Sequence, residues 1–323
     1  MNKISIIIPV YYNELNLPTL YEKLQEEILN NPKLEVELVF VDDGSGDNSY
    51  AELLKLNKKD KRIKVVKLSK NFGSHTAILA GLSYCTGDCA TIISADLQDP
   101  PSIIVEMLQR WEQDNKVVLA VREDREETWL QTTLSNTYYK LMKKVALNNM
   151  PEGGFDCFLI DRQVIDILIA MKEKNSTIMG QILWCGFKTD KIYYTRKERE
   201  IGKSRWTLAK KVKLFIDSFL AFSYFPIKFI SSFGVIIAIV GFAMAIFLIV
   251  NKLVMGVPVQ GWTALMVGML LLSGIQLITL GIIGEYLWRN FDESRQRPTF
   301  IVENSVGFTE EERIEETGGS VAT

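Results

Sequence analysis

A single histidine, His75, stands in 323 residues, and the four cysteines, Cys85, Cys89, Cys157 and Cys185, form neither a C-x-x-C pair nor a zinc-ligand spacing. One histidine leaves no basis for a Ser-His-Asp hydrolase or a multi-histidine metal site. Scattered thiols indicate neither a disulfide framework nor structural zinc. Acid–base work must then fall mainly to carboxylates. No sign of charge dominates: 37 Lys+Arg face 39 Asp+Glu, a net charge of −2, which speaks against a nucleic-acid partner. No P-loop and no G-x-G-x-x-G follows a strand pattern, so a nucleotide would not be held by a glycine cradle. An EF-hand is excluded too, because placing Gly44 or Gly46 at the sixth loop position puts Val39 or Val41 first, where a carboxylate is required. The N-terminal MNKISIIIPV has too short an apolar stretch, and no cleavage site, for a signal peptide. At 47% hydrophobic and 24% charged residues, disorder, collagen and coiled coil are excluded as well.

The apolar residues that are present are unevenly spread. Phe229–Val250 runs 22 residues without a charge and Gly261–Gly284 another 24, against the roughly 20 needed to cross a bilayer core. Two transmembrane helices are expected, at about 229–250 and 261–286, the alternative being a pair of buried core helices. Trp262, Tyr286 and Trp288 stand near the ends of the second run, where amphipathic rings favour the headgroups. Lys203, Arg205, Lys210, Lys211, Lys213 and Lys228 precede the first run and Arg289, Arg295 and Arg297 follow the second, whereas the connection offers only Lys252. The positive-inside rule then places both termini on the cytoplasmic side of the inner membrane. Gly234, Gly241, Gly268 and Gly274 permit close helix contacts and so a homo-oligomer.

Ahead of the hairpin, β-branched runs at Ile4–Val10, Val36–Val41, Ile63–Leu68, Ala90–Ala95 and Val117–Val121 alternate with helical patterns at Thr19–Asn30, Tyr50–Lys59, Ser74–Tyr84 and Ser102–Asp114. That alternation predicts an α/β fold, a doubly wound, mostly parallel sheet with strands buried on both faces. Ligands of such sheets bind beyond the carboxyl ends of the strands, and charged or polar clusters follow four of the runs: Tyr11-Tyr12-Asn13-Glu14, Asp42-Asp43-Gly44-Ser45, Asp96-Leu97-Gln98-Asp99 and Arg122-Glu123-Asp124-Arg125. Two of these clusters are equally good turn and N-cap sequences. Carboxylates where a nucleotide would sit point to a divalent metal bridging diphosphate oxygens, with Asp96 and Gln98 as candidate ligands.

Ile-Ile-Pro-Val with a following Asn-Glu, Val-Asp-Asp-Gly-Ser and Ala-Asp-Leu-Gln-Asp-Pro-Pro together resemble the inverting family 2 glycosyltransferases. Asn71-Phe72-Gly73 with Ala77 and Gly81, Val121-Arg122-Glu123-Asp124-Arg125, Gly154-Phe155-Asp156, and Gly202-Lys203-Ser204 ahead of two spans are similar to the polyprenyl-phosphate members, the dolichol-phosphate mannose synthases and bactoprenol glucosyl transferases. The resemblance implies a GT-A-like nucleotide-sugar-binding domain at 1–206, an amphipathic interfacial segment at 207–228, the hairpin at 229–288 and a cytoplasmic tail at 289–323, polar and disordered from Asn304.

It further implies that Pro9, Tyr11, Glu14 and Asp42 hold the nucleoside, that Asp96 and Gln98 hold Mg2+ or Mn2+ with the diphosphate, and that Asp156 is the catalytic carboxylate. Arg122, Arg125, Arg199 and Lys203 would meet the phosphates of a nucleotide-sugar donor and a polyprenyl phosphate acceptor. Read without the resemblance, Asp156 is equally a solvated acid in a glycine loop, and Thr207–Phe225 equally a helix packed on the soluble domain. Two departures from the family pattern stand out. Its first metal carboxylate falls at Ser94, and its Pro-Val-Tyr-Asn-Glu is one residue longer here, which leaves open whether Tyr11 or Tyr12 lies against the base. The expected reaction is transfer of a hexose, glucose from UDP-glucose before mannose, N-acetylglucosamine or amino-arabinose, to the lipid phosphate. The contrasting class is a weakened, membrane-tethered nucleotide-sugar binder.

Overall fold

The computed structural model describes residues 2–122, 140, 142–143, 147, 149–151, 154–171, 173–174, 176–196, 221–223, 225–255 and 261–308. The chain divides into two compact units, Met1–Ser218 with Pro298–Thr323, and Phe219–Arg297.

In the first unit the apolar runs become the strands β1 (Lys3–Val10), β2 (Glu35–Asp42), β3 (Ile63–Leu68), β4 (Cys89–Ile92) and β5 (Val117–Arg122). Between them lie the helices α1 (Leu17–Leu24, continued as a π-helical turn over Gln25–Leu29), α2 (Ser49–Lys59), α3 (Ser74–Tyr84) and α4 (Ser102–Trp111). Further along come β6 (Phe155–Asp161), α5 (Arg162–Met171), α6 (Ile178–Trp184) and β7 (Thr189–Tyr194). After the second unit comes β8 (Val302–Val306). The eight strands form one sheet in the order β7-β5-β6-β4-β1-β2-β3-β8. Only β6 and β8 run against the rest. The expectation of a mostly parallel, doubly wound sheet matches this arrangement.

The β-branched strands are buried on both faces because helices cover both. Ile4, Ile6 and Ile8 share a core with Leu17, Leu20 and Leu24 of α1, Leu53 of α2 and Ile104 and Met107 of α4. On the opposite face α3 lies against β1 and β2. There a Cβ at Gly81 would stand 2.3 Å from Ile7 Cγ2, so only glycine allows the helix so close. Proline in a central strand needs a reason, since it cannot donate to the ladder. β4 pairs with β1 only from Ile4 to Ile7, so Pro9 lies where that neighbour has ended.

Three strands escaped the sequence reading. β7 alternates between exposed and buried positions at the sheet edge, and β8 is polar, so neither carries a long apolar run. β8 takes up residues 302–306, part of the tail expected to be disordered from Asn304. It pairs with β3 through backbone hydrogen bonds. Lys67–Glu303 at 2.9 Å, Asn304 Nδ2 donating to Tyr50 Oη at 3.0 Å, and Phe308 against Tyr84 hold it in place.

The second unit contains α7 (Phe225–Met255) and α8 (Trp262–Ser294), of 31 and 33 residues. Both are long and apolar enough to cross a membrane, and their apolar side chains are exposed, as at Phe242 (74%) and Leu253 (80%).

Toward the amino ends of β1 and β2 a buried charge cluster ties the strands together. Burial by itself pushes the Glu37 carboxyl up. Hydrogen bonds from Ser5 Oγ (2.5 Å) and Thr86 N (2.5 Å), with Lys64 Nζ at 3.1 Å, outweigh it and hold the group at about 2, against an ordinary 4.5. A carboxyl whose folded value is depressed contributes stability that is complete above the unfolded value and is lost as pH falls through the folded one. Glu37→Gln, which removes that carboxylate from Lys64 and Lys3, is therefore expected to destabilise the domain by about 3 kcal/mol at pH 7. The difference from the parent should shrink between pH 4.5 and about 2 in urea or thermal unfolding; a gap independent of pH over that window would contradict the assignment.

Candidate active site

The chain runs outward from β1 to β2 and β3, then returns to β4 on the other side of β1. The sheet thus has its topological switch between β1 and β4, the place where ligands of such sheets enter a crevice beyond the carboxyl ends. The loops flanking that crevice are Tyr11–Leu15, Asp43–Asn48 and Ile93–Pro101. Both loops that leave β1 and β4 contain a non-glycine residue in the left-handed region, Tyr12 at φ 56° and Leu97 at φ 62°. Such residues persist only where the surroundings over-determine them.

On the β1–β2 side, Tyr12 is the residue of the Pro9–Glu14 stretch in the left-handed region. Its backbone N–H donates to Ser45 Oγ at 3.0 Å and its hydroxyl lies over Gly46. Tyr11 packs edge-on against its ring. Glu14 accepts from Asn48 N at 2.8 Å, which braces the start of α2. Asp42 is fully buried and burial raises its carboxyl, with Ser45 N donating to one oxygen at 3.1 Å. Its second oxygen, Oδ2, has no hydrogen-bond partner among the described residues. Asp43, which the sequence reading left without a role, accepts from Phe72 N at 2.7 Å and Gly73 N at 2.9 Å and so ties this loop to the start of α3.

On the β4 side, Ser94 Oγ lies 2.5 Å from Asp96 Oδ1 and 2.8 Å from Asp99 Oδ2. Tyr194 Oη, at the end of β7, donates to Asp99 Oδ1 at 2.9 Å; burial first, and the nearby anions after it, push the phenol well up. Gln98 N donates to Asp96 Oδ1 at 3.3 Å. Asp156 belongs to β6, which is antiparallel, so the beginning of that strand meets the carboxyl ends of its neighbours. Asp156 is ion-paired with Arg122, the last residue of β5. Two residues past β7, the Arg196 guanidinium reaches Asp99 (Nε, 3.2 Å), Asp156 (Nη1, 3.5 Å) and Asp96 (Nη2, 3.8 Å). One side chain therefore draws Asp96 and Asp156 into a single cluster.

Of the residues singled out in the sequence, Pro9, Tyr11, Glu14, Asp42, Asp96, Gln98, Arg122 and Asp156 all lie at this end of the sheet. Arg125, Arg199, Lys203 and all but the last few residues of the 207–228 segment lie outside the described residues. Arg196 was missed because β7, the strand it follows, is a half-exposed edge strand whose weak apolar pattern does not mark its carboxyl end. His75 is no rival base: burial pushes it down to about 4 and neither ring nitrogen has a hydrogen-bond partner.

Among the described residues no group of three or more His, Cys, Asp or Glu side chains stands together as metal ligands. The oxygen set of Asp96, Asp99, Gln98 and Ser94 nevertheless suits a hard divalent cation that keeps several waters and takes one or two carboxylates. The guanidinium of Arg196 already rests against two of those carboxylates, as a cation would.

The mostly parallel sheet with acidic loops at its switch point is a GT-A-like glycosyltransferase fold. Residues 5–168 match the family described as Glycosyl transferase family 2. The chain belongs to this family and is a glycosyltransferase. It is 38% identical over 304 residues to the glycosyltransferase YkcC of Bacillus subtilis (strain 168), covering 94% of both chains. Its identity to the bactoprenol glucosyl transferase of Shigella phage SfV is 34% over 303 residues, 94% of this chain and 98% of that one. A solved mannosyltransferase, PcManGT of Pyrobaculum calidifontis in complex with GDP-Man and Mn2+, is 17% identical with a TM-score of 0.47, over 66% of this chain and 60% of that one.

The loop between β2 and α2 depends on Gly44, at φ +67° with any added Cβ only 2.5 Å from the Lys70 carbonyl carbon. Gly44→Ala is expected to cost more than about 1 kcal/mol, because alanine is strained where φ is positive. It should lower the midpoint in a thermal melt; an unchanged midpoint would show that the loop tolerates the shift.

Proposed function

We propose that this glycosyltransferase moves a hexose, glucose from UDP-glucose in the reading we favour, onto a polyprenyl phosphate at the cytoplasmic face of the inner membrane, with inversion at the anomeric carbon. The observation that carries the proposal is the cluster in which Asp96, Asp99 and Asp156 share Arg196, with Arg122 on Asp156. Acceptor and donor are both anions, so their approach needs cationic groups. Arg122 and Arg196 are held at the crevice, and Arg125, Arg199 and Lys203 are assigned to the phosphates on the sequence pattern. The similarity to the bactoprenol glucosyl transferase of phage SfV supports the choice of lipid and sugar.

A phosphate monoester has a second pKa near 6, so the acceptor oxygen is largely ionised at neutral pH and needs no strong base. We assign Asp156, at 42% exposure and ion-paired with Arg122, to orienting acceptor or donor, or to stabilising an oxocarbenium-like centre. Asp42 and Tyr11 are assigned to the nucleoside, where the unpartnered Asp42 Oδ2 would accept from a ribose hydroxyl or the base. Pro9 and Glu14 shape the same loop. Asp96 and Gln98, with Asp99, would hold Mg2+ or Mn2+. Such a cation would neutralise the departing diphosphate.

Connectivity supports the hairpin arrangement. The sheet comprises strands on both sides of the α7–α8 segment, since β8 pairs with β3. If those helices span a bilayer, the chain must leave and re-enter on one side, which makes them a hairpin. The basic flanks put that side in the cytoplasm.

Purified protein incubated with polyprenyl phosphate and a panel of nucleotide sugars should give a lipid one hexose heavier by mass spectrometry, most from UDP-glucose. Release of nucleoside diphosphate should require both lipid phosphate and divalent metal. No glycolipid from any donor would overturn the proposal. Asp156→Asn is expected to lower kcat by about two orders of magnitude or more, the scale of a lost electrostatic contribution at a reacting centre, while donor affinity changes little. Unchanged kcat would remove Asp156 from the chemistry.

A further inference from the structure

Among the described residues Arg196 is the one group in contact with all three carboxylates of the cluster, each through a different nitrogen. Its anchor is firm. The Asp99 side chain is 1% exposed and is held by Tyr194 and Ser94 besides, whereas Asp96 and Asp156 are 12% and 42% exposed and lie toward the opening. Among the described residues two guanidiniums, Arg122 and Arg196, face these three carboxylates, which leaves one negative charge in excess there. A divalent cation on the same carboxylates would turn that into one positive charge in excess, which a donor diphosphate, carrying about two negative charges, would more than offset. The serine at position 94 sharpens the constraint: with a carboxylate there, a divalent cation and both arginines would already be neutralised without donor.

We propose that Arg196 is a resident counter-cation that competes with the divalent metal for Asp96 in the donor-free protein, so that metal binds tightly only together with the donor's diphosphate, to which Arg196 then turns. Arg196 is thereby a positioning residue that couples the order of metal and donor binding. The inference rests on the glycosyl-transfer reading for the identity of the ligands, but not for its test.

Manganese binding to the purified full chain, followed by EPR of free Mn2+ without donor and then with UDP, reads the coupling directly. Arg196→Met should bind Mn2+ about tenfold more tightly than the parent without UDP, an ordinary size for a coupling between sites. UDP should then enhance Mn2+ binding much less than it does in the parent. Arg196→Lys keeps the charge and should stay close to the parent. Ser94→Asp supplies the missing carboxylate with Arg196 in place, and should also tighten donor-free Mn2+ binding, which keeps the test open if the methionine variant does not fold. Donor-free affinities equal to the parent in both Arg196→Met and Ser94→Asp would overturn the proposal. Failure of the glycolipid assay would not, because these measurements contain no acceptor and no turnover.

Discussion

Among the described residues two guanidiniums and three carboxylates meet at the carboxyl end of the sheet, and their mutual pairing is the constraint on which the site depends. A buried carboxylate is tolerated only when it is paired or hydrogen-bonded. Asp99 meets that condition through Ser94, Tyr194 and Arg196. Asp99 in turn gives Arg196 its closest carboxylate, at 3.2 Å, from which the guanidinium reaches Asp156 and Asp96. The left-handed Leu97, buried between Asp96 and Gln98, fits a turn held by its surroundings rather than by its own preference.

The two ends of the sheet treat charge differently. Near the amino ends, Glu37 is enclosed with Lys64, Ser5 and Thr86, and its pairing is complete. At the carboxyl ends, Asp156 remains partly open and the buried Oδ2 of Asp42 is left without a partner. A closed cluster stabilises the fold, whereas an open one retains binding capacity for a ligand. The same asymmetry separates the strand ends of doubly wound sheets generally.

The return of the chain after the long helices has a structural consequence of its own. An edge strand exposes unpaired backbone groups, and β3 would be such an edge if β8 did not cover it. The polar Val302–Val306 sequence is not driven there by burial. It is held by the ladder, the Lys67–Glu303 pair and the Phe308 contact. Catalytic domain and helices are therefore linked at both ends of the helical segment.

The strand–helix alternation of the first 120 residues was legible because fully apolar β-branched runs have one stable use, burial between two helical layers. The candidate residues after those runs were legible for the same reason: Tyr11, Asp42, Asp96 and Arg122 end strands whose limits the hydrophobic pattern marks. Asp156 was legible only through family resemblance, since nothing local says that β6 runs antiparallel and begins where its neighbours finish. Arg196 and β7 were not legible, because an edge strand with one buried face gives a weak pattern, and β8 gave none. Composition and periodicity determined the sheet, the two long apolar helices and the ends where polar chemistry collects. Tertiary structure alone decided which charges meet, because strand order and direction bring together residues as far apart as Asp96, Asp156 and Arg196, and Coulombic contact depends on distance in space rather than along the chain.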